Sequence, residues 1–227
     1  MFFSAQLTHC PLFDGIAAQD LPGMLSCLGA RSMKASKGSV ILSEGSPARD
    51  VGILLHGCAQ VIRTDYAGNR TIMTNIASGQ LFAESFACSK AGILPVGVIA
   101  MEDCEYLLID CKRIMTPCSH ACSFHNQIIF NLLQIVCDRN LALHQRALIT
   151  ARRTTREKLM TYLLMQAKEA ENSNFTIPFD RQGLADYLEV DRSGLSAELS
   201  KLKKEGILDY YKSHFRLLDV TTQEKIE

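Results

Sequence analysis

Three groups of residues have types and spacings that can do chemistry. The first lies between Phe179 and Leu208, in FDRQGLADYLEVDRSGLSAELSKLKKEGIL. It sets Arg192, Ser193 and Ser196 at the start of one amphipathic segment, Ser200, Lys201 and Lys204 further along it, and Gln182 on the segment before. A guanidinium and hydroxyls on one helix face can bond the edges of base pairs, while lysine ammonium, glutamine amide and serine hydroxyl groups can hold phosphates. The second group is Cys118, Cys122 and His125, at i, i+4 and i+7, which a helix would line up as soft metal ligands or redox thiols. Cys104 and Cys111 are near enough in sequence to join them. This is not a standard zinc spacing, and such residues on a helix more often pack or face solvent, so no metal or other cofactor is assigned. The third is Glu84, a carboxylate in the otherwise apolar and small-residue run SGQLFAES. No glycine-rich phosphate loop, nucleophile elbow or His-Glu metal helix appears, so the chain is read as a binding protein rather than an enzyme.

The elements that must position these groups follow from local chemistry. Asp180 and Asp191 each precede an amphipathic run and can accept from the backbone N–H groups that a helix start leaves unpaired. Leu184 and Leu188 mark the buried face of the first helix. Leu195, Leu199 and Leu202, at i, i+4 and i+7, mark that of the second. Glu189 and Val190 turn the chain between them, and Gly206 ends the second helix. Ser193, Ser196, Ala197, Ser200 and Lys204 fall on the opposite, solvent arc. Ile207 to Tyr211 and Phe215 to Leu218 then form two short β-like runs around Lys212-Ser213-His214. This is the pattern of a helix-turn-helix followed by a hairpin wing, which suits insertion of a helix into a DNA major groove.

Upstream, short helices at Leu7–Phe13 and Leu21–Leu28 give way to period-two alternation from Ala35 to about Cys111. Strands are predicted at 39–42, 51–55, 59–63, 71–76, 96–100 and 104–109, separated by turn residues, as in an all-β roll or barrel. From Ser119 to Thr150 there is neither glycine nor proline. Ile129, Leu133, Val136, Asn140, Leu143 and Ala147 recur in steps of four and three, the seam of a coiled coil with Asn140 at a core position. Ile128, Leu132 and Ile135 make a second apolar line. A seam of this kind predicts a two-fold homodimer, with the second line free to pack on the β-roll. A further helix from Thr155 to Lys168 opens the C-terminal region.

Bulk properties set limits. The chain has 227 residues, 47% hydrophobic and 21% charged, with 24 basic and 24 acidic side chains. Residues 151–227 are also balanced, which argues against a general basic footprint and leaves local clusters to meet DNA. Arg152, Arg153 and Arg156 form one such cluster, and Lys201, Lys203, Lys204, Lys212 and Arg216 another. No run is long and apolar enough to span a bilayer, and the N-terminus lacks the form of a signal peptide. The nine cysteines are therefore read as reduced thiols and the protein as cytoplasmic, with no membrane partner.

β-roll, long helix and winged helix-turn-helix, in that order, resemble the CRP/FNR family of bacterial transcription regulators over essentially the whole chain. The most specific pieces are Ser78-Gly79-Gln80-Leu81-Phe82-Ala83-Glu84-Ser85, similar to the family's glycine-then-Gly-Glu cassette, and Val190-Asp191-Arg192-Ser193-Gly194-Leu195-Ser196, similar to the start of its recognition helix. The resemblance implies an α+β fold: a cupin-like β-roll of cyclic-nucleotide-binding type over 1–117, a dimerisation helix over 118–150 and a winged helix-turn-helix over 151–227. It also implies double-stranded DNA with a palindromic operator as partner, and RNA polymerase as well if the protein activates. The family's guanine-reading arginine is replaced by Ala197 and its glutamate by Ser193, so its best-known operator is not expected. Arg192, Ser193 and Ser196 are the base-edge candidates; Gln182, Ser200, Lys201 and Lys204 are the phosphate candidates. Phe82, Glu84, Ser85, Leu94, Pro95 and Val96 are the expected effector pocket. In cyclic-nucleotide-binding members the cassette glutamate meets the ribose, and a downstream arginine meets the cyclic phosphate. Leu94-Pro95-Val96 stands where that arginine would be, so control by an effector other than cAMP is expected. The alternative reading is an effector-binding signalling module whose helix-turn-helix serves a protein interface.

Overall fold

The structure is a computed structural model. It describes residues 7–218 apart from 9, 66–69, 91 and 117–122. The chain forms two compact units, residues 1–138 and 139–227, each taken separately below.

In the N-terminal unit a short 3-10 turn at Pro11–Phe13 and helix α1 (Leu21–Cys27) precede the strands β1 (Arg31–Ala35), β2 (Val40–Leu42), β3 (Asp50–His56), β4 (Ala59–Thr64), β5 (Arg70–Ile76) and β6 (Leu81–Phe82). The short helix α2 (Glu84–Ala87), strands β7 (Gly97–Ala100) and β8 (Cys104–Asp110), and helix α3 (Cys111–Met115) follow. Two antiparallel four-stranded sheets result, ordered β1-β8-β3-β6 and β2-β7-β4-β5. The first sheet is pinned by β3 and β8, where Val51 faces Ile109 and Ile53 faces Leu107. Alternation along β3 sends side chains to two different cores. Val51, Ile53 and Leu55 join Leu12, Leu21, Leu28, Ile114 and Ile128 on one face. Leu54 joins Ile41, Ile76, Phe82, Val98 and Tyr106 inside the roll.

The strand series begins earlier than the alternation predicts, because β1 contains only one large apolar residue, Met33, and is almost wholly exposed. It is held by pairing with β8, from Arg31 opposite Leu108 to Ala35 opposite Cys104, a long-range cause invisible in its own pattern.

The long helix α4 (Ser123–Thr150) has the predicted uninterrupted character. In the N-terminal unit its second apolar line is used: Ile128 and Leu132 are buried against the β-roll core, with Ile135 and Val136 packed beside them. The seam residues Leu133 and Leu143 are exposed, at 58% and 67%. Asn131, which the sequence reading passed over, is buried and ties the helix to the N-terminal segment. Its Nδ2 donates to the Leu12 and Asp14 carbonyls at 3.0 and 2.8 Å.

The C-terminal unit contains α5 (Thr155–Glu169), β9 (Asn174–Thr176), α6 (Arg181–Leu188), α7 (Arg192–Lys204), β10 (Leu208–Tyr211) and β11 (His214–Leu217). Thr154 and Glu157 close a reciprocal capping box at the start of α5. The small sheet runs β10-β11-β9, so the wing is three-stranded and not the two-stranded hairpin expected. Ile149, at the end of α4, packs into this unit's core with Leu159, Leu163, Leu184, Leu199 and Phe215. No described helix is long and apolar enough to cross a membrane.

Candidate nucleic-acid interface and effector domain

The two helices of the C-terminal unit are set by their caps and leucines. Asp180 accepts from the Gly183 N–H at 2.7 Å, and Asp191 from the Gly194 N–H at 2.9 Å. Between the helices Glu189 takes a left-handed conformation, φ 53°, while Val190 N–H returns to the Ala185 carbonyl at 3.0 Å. Leu195, Leu199 and Leu202 are fully buried. Burial of each is worth about 1.5–3 kcal/mol, which fixes the rotation of α7 about its axis. Gly206, at φ 73°, supplies the left-handed exit that an L side chain resists.

With the leucines inward, the outer arc is set. Arg192, Ser193, Ser200, Lys201 and Lys204 are exposed, Ser196 is half-buried, and Ala197 leaves a bare patch between them. Each serine is oriented. Ser193 Oγ donates to the Asp191 carboxylate, Ser196 Oγ to the Arg192 carbonyl at 2.9 Å, and Ser200 Oγ to the Ser196 carbonyl at 3.0 Å. A hydroxyl whose proton is spent inward offers its lone pairs outward, as an acceptor for adenine or cytosine amino groups. Gln182, on α6, is exposed and donates to Asp186 at 2.8 Å. Asp191 is held below the usual carboxylate range by the Ser193 hydroxyl first and the Gly194 N–H second, so it is ionised and the cap is at full strength at neutral pH.

The balanced charge of this region resolves into internal pairs. Arg156 forks onto Glu205 at 3.2 and 2.5 Å and reaches Glu198 at 3.5 Å. Lys203 meets Asp209 at 2.5 Å, and Arg146 meets Glu189 at 3.3 Å. Arg156 and Lys203, grouped in sequence with two basic clusters, are thus engaged in holding α5 and β10 to α7. Acidic side chains of the unit are engaged as well, by these cations or as the helix caps Asp180 and Asp191. At the wing tip Lys212 adopts φ 53° and lies over the Tyr211 ring at 5.5 Å, with Tyr211 72% exposed.

In the β-roll the expected pocket residues divide. Phe82 is buried in the roll, edge-on to Tyr106 at 6.3 Å, and its ring lies where a Cβ on Gly52 would stand, 2.1 Å away. Ala83 has φ 63°, the conformation that a glycine adopts without strain. That backbone turn drives Glu84 inward, where it is 1% exposed and its Oε1 accepts from Ser85 Oγ at 2.8 Å. Leu94 is buried but tied to a different loop, beside the isolated Pro47–Ile93 bridge: its N–H meets the Ser46 carbonyl at 2.9 Å and its carbonyl accepts from Gly45 at 2.8 Å. Pro95 is exposed and Val96 half-buried. Among the described residues the buried polar or charged side chains are Glu84, His125 and Asn131, with no arginine. Two open clefts lie elsewhere on this unit. One, about 480 Å³, is lined by Lys34, Ser36, His56, Asp103, Cys104 and Glu105; the other, about 570 Å³, is lined by Glu44, Arg63, Thr64, Asp65 and Thr71.

Of the thiol and imidazole set, Cys118 and Cys122 lie outside the described residues. His125 is buried with Nε2 bonded to the Arg113 carbonyl at 2.8 Å. Cys104 donates to the Cys58 and Glu102 carbonyls, each at 3.3 Å, and Cys111 lies against Cys88. Among the described residues no three His, Cys, Asp or Glu side chains are grouped to hold a metal ion.

A β-roll and a winged helix-turn-helix in one chain define a DNA-binding regulator with an effector-type domain. The comparisons agree with this class. Residues 32–118 match the cyclic nucleotide-binding domain family, and residues 157–222 match the Crp-like helix-turn-helix domain family. The chain belongs to the CRP/FNR family of transcription regulators. No curated protein matches it in sequence. Its fold is similar to that of CprK complexed with OCPA, at 14% identity and TM-score 0.60, over 90% of this chain and 93% of that one. It is also similar to the c-di-GMP responsive global regulator CLP of Xanthomonas campestris, at 17% identity and TM-score 0.52, over 90% and 100% of the two chains. DNR from Pseudomonas aeruginosa matches at 20% identity and TM-score 0.50, over 100% of this chain and 98% of that one.

Proposed function

We propose that this protein is a dimeric, sequence-specific transcription regulator that reads a palindromic operator through α7 and answers to an effector other than cAMP. The observation that carries the reading is the outer arc of α7. Three buried leucines fix the helix so that its first turn presents Arg192 and Ser193 to solvent with Ser196 beside them, and the serine protons are already spent on Asp191 and the Arg192 carbonyl. Arg192, Ser193 and Ser196 meet base edges; Gln182, Ser200, Lys201 and Lys204 meet phosphates. The exposed seam of α4, with Leu133 and Leu143, meets its copy in a second protomer and sets the two recognition helices on successive half-sites. The domain division is 1–117, 118–150 and 151–227, with reorientation near residues 150–155, where α4 ends and the capping box of α5 begins. The protein acts in the cytoplasm, by binding and without catalysis, and contacts RNA polymerase where it activates.

The exclusion of cAMP rests on charge. A cyclic nucleotide seated with its ribose at Glu84 would bring its phosphate into a roll whose described interior has no arginine to meet it. Expected effector-pocket residues are Phe82, Glu84, Ser85, Leu94, Pro95 and Val96.

The test is selection of operators from random duplexes by the full-length protein at fixed salt, with Arg192→Ala beside it. An enriched two-fold palindrome, weakened or relaxed at one position by the substitution, is the expected result. Failure to enrich any duplex, with reductant and oxidant each tried, would overturn the reading in favour of a helix-turn-helix that binds protein. Calorimetric titration with cAMP should show no heat of binding; micromolar saturable binding would overturn its exclusion.

A further inference from the structure

Seven cysteines fall among the described residues, and two of them touch. Cys88 Sγ lies 2.8 Å from Cys111 Sγ. Cys88 is the exposed C-cap of α2, the helix that Glu84 begins; Cys111 is the buried first residue of α3. Both positions are anchored by backbone. Cys88 N–H donates to the Glu84 carbonyl and Cys111 N–H to the Arg49 carbonyl, each at 2.9 Å. Closing this gap to a bond of about 2.05 Å takes a movement of under about 1 Å, well within the play of two side chains. The remaining described thiols lack such a partner at the sulfur. Cys10, for example, is buried, and burial pushes its thiol up to about 11.

We propose that Cys88 and Cys111 are a thiol-modification site that closes to a reversible intramolecular disulfide, with small disulfides of the glutathione type as oxidant. Exposure assigns the order. Cys88, facing solvent, attacks one sulfur of glutathione disulfide; that S–S bond breaks and one glutathione leaves as thiolate. Cys88 gives up its S–H proton to solvent as it attacks, and the departing thiolate takes up one proton from solvent. Cys111 sulfur then attacks Cys88 Sγ, breaking the mixed disulfide and releasing the second glutathione, which keeps the second proton. Two protein thiols lose two electrons and two protons, and one glutathione disulfide becomes two thiols. The hydrogen bond between the two thiols raises the Cys88 thiol and lowers that of Cys111, so solvent exposure, and not acidity, makes Cys88 the first to react.

The bond would staple the end of α2 to the start of α3. Further along α3, the Arg113 carbonyl holds His125 of α4. The linked path therefore runs from the Glu84 helix to the first turns of the long helix, all inside the N-terminal unit.

The experiment equilibrates the full-length protein with reduced and oxidised glutathione at several ratios, quenches with N-ethylmaleimide, and maps linkages by mass spectrometry of a non-reducing digest. The expected product is a Cys88–Cys111 linkage within one chain, lost on adding dithiothreitol. Cys88→Ser should abolish it and leave Cys111 unmodified. Cys111→Ser should leave Cys88 carrying glutathione. Amide exchange in 84–89 and 111–116 should slow on oxidation of the native sequence and stay unchanged in Cys88→Ser. A linkage to Cys118, Cys122 or Cys137, a linkage between chains, or two alkylatable thiols at the most oxidising ratio would overturn the proposal. None of these readouts depends on DNA binding.

Discussion

Arg192 and Lys204 are both exposed, at the first and last residues of α7, and the proposed interface gives them different work. A guanidinium that forks onto a base edge discriminates among bases, whereas a lysine near phosphate reports only charge. Arg192→Ala should cost about 1–3 kcal/mol on the selected operator and relax preference at one position per half-site. Lys204→Ala should weaken selected and random duplexes alike and reduce the salt slope by about one per protomer. Fluorescence anisotropy across a salt series separates the two; equal losses on all sequences from Arg192→Ala would place it on phosphate instead. Asn131 is the residue-scale counterpart in the other unit. Its amide satisfies the Leu12 and Asp14 carbonyls while its Oδ1 accepts from Gln127 at 2.9 Å. Asn131→Leu would fit an apolar surface but strand the Leu12 carbonyl, and should cost about 1–3 kcal/mol in denaturant unfolding of the N-terminal unit. A loss below a few tenths would mean that water replaces the amide there.

At the scale of elements, the C-terminal unit's leucine core is supplemented by charges placed at element ends. Arg156 lowers Glu205 from its ordinary range, Lys203 lowers Asp209, the Thr154 backbone N–H lowers Glu157, and the Ser193 hydroxyl lowers Asp191. A carboxyl lowered in the folded state contributes stability that is fully present above its unfolded value, near about pH 4. That contribution is lost as pH falls through the lower folded value. Stability of residues 155–217 should therefore be level from neutrality to about pH 5 and decline below about pH 4, as read by amide exchange or denaturant midpoints. A level profile down to pH 3 would remove these contacts from the ledger. The caps among these elements were legible in sequence, because Asp180 and Asp191 bond to groups three residues away. So was the leucine stripe, which needs only the helical period. The Arg156–Glu205 fork spans 49 positions and has no local signature, so Arg156 reads in sequence as part of a free basic cluster. Strand β9 was missed for the same kind of reason: Asn174-Phe175-Thr176 offers one buried residue, and its pairing with β11 comes from 38 or more positions away. The interior of the β-roll was the least legible. Glu84 is turned inward by the left-handed backbone at Ala83, and no side-chain pattern announces a φ value.

At the scale of the whole molecule, α4 carries two apolar lines with different fates. Ile128 and Leu132 are spent within the N-terminal unit, while the seam residues Leu133 and Leu143 stay 58% and 67% exposed on one chain. Leucines left this far in water on a long helix are what the proposed dimer would cover, each gaining part of the about 1.5–3 kcal/mol that full burial of such a side chain is worth. Asn140, in the seam beside Leu143, would select register at some loss of strength. Leu143→Glu tests this without touching either core. Each protomer should remain folded, since the side chain contacts solvent in the single chain. Sedimentation equilibrium should show a monomer where the native sequence gives a dimer. Operator binding should fall by about 10²–10⁴-fold, because the second half-site is no longer held at high effective concentration. Binding to an isolated half-site should be nearly unchanged, which separates lost dimerisation from a damaged recognition helix. A variant that stays dimeric and binds the palindrome as tightly as the native protein would move the dimer interface off this seam, and with it the spacing of half-sites that the seam imposes.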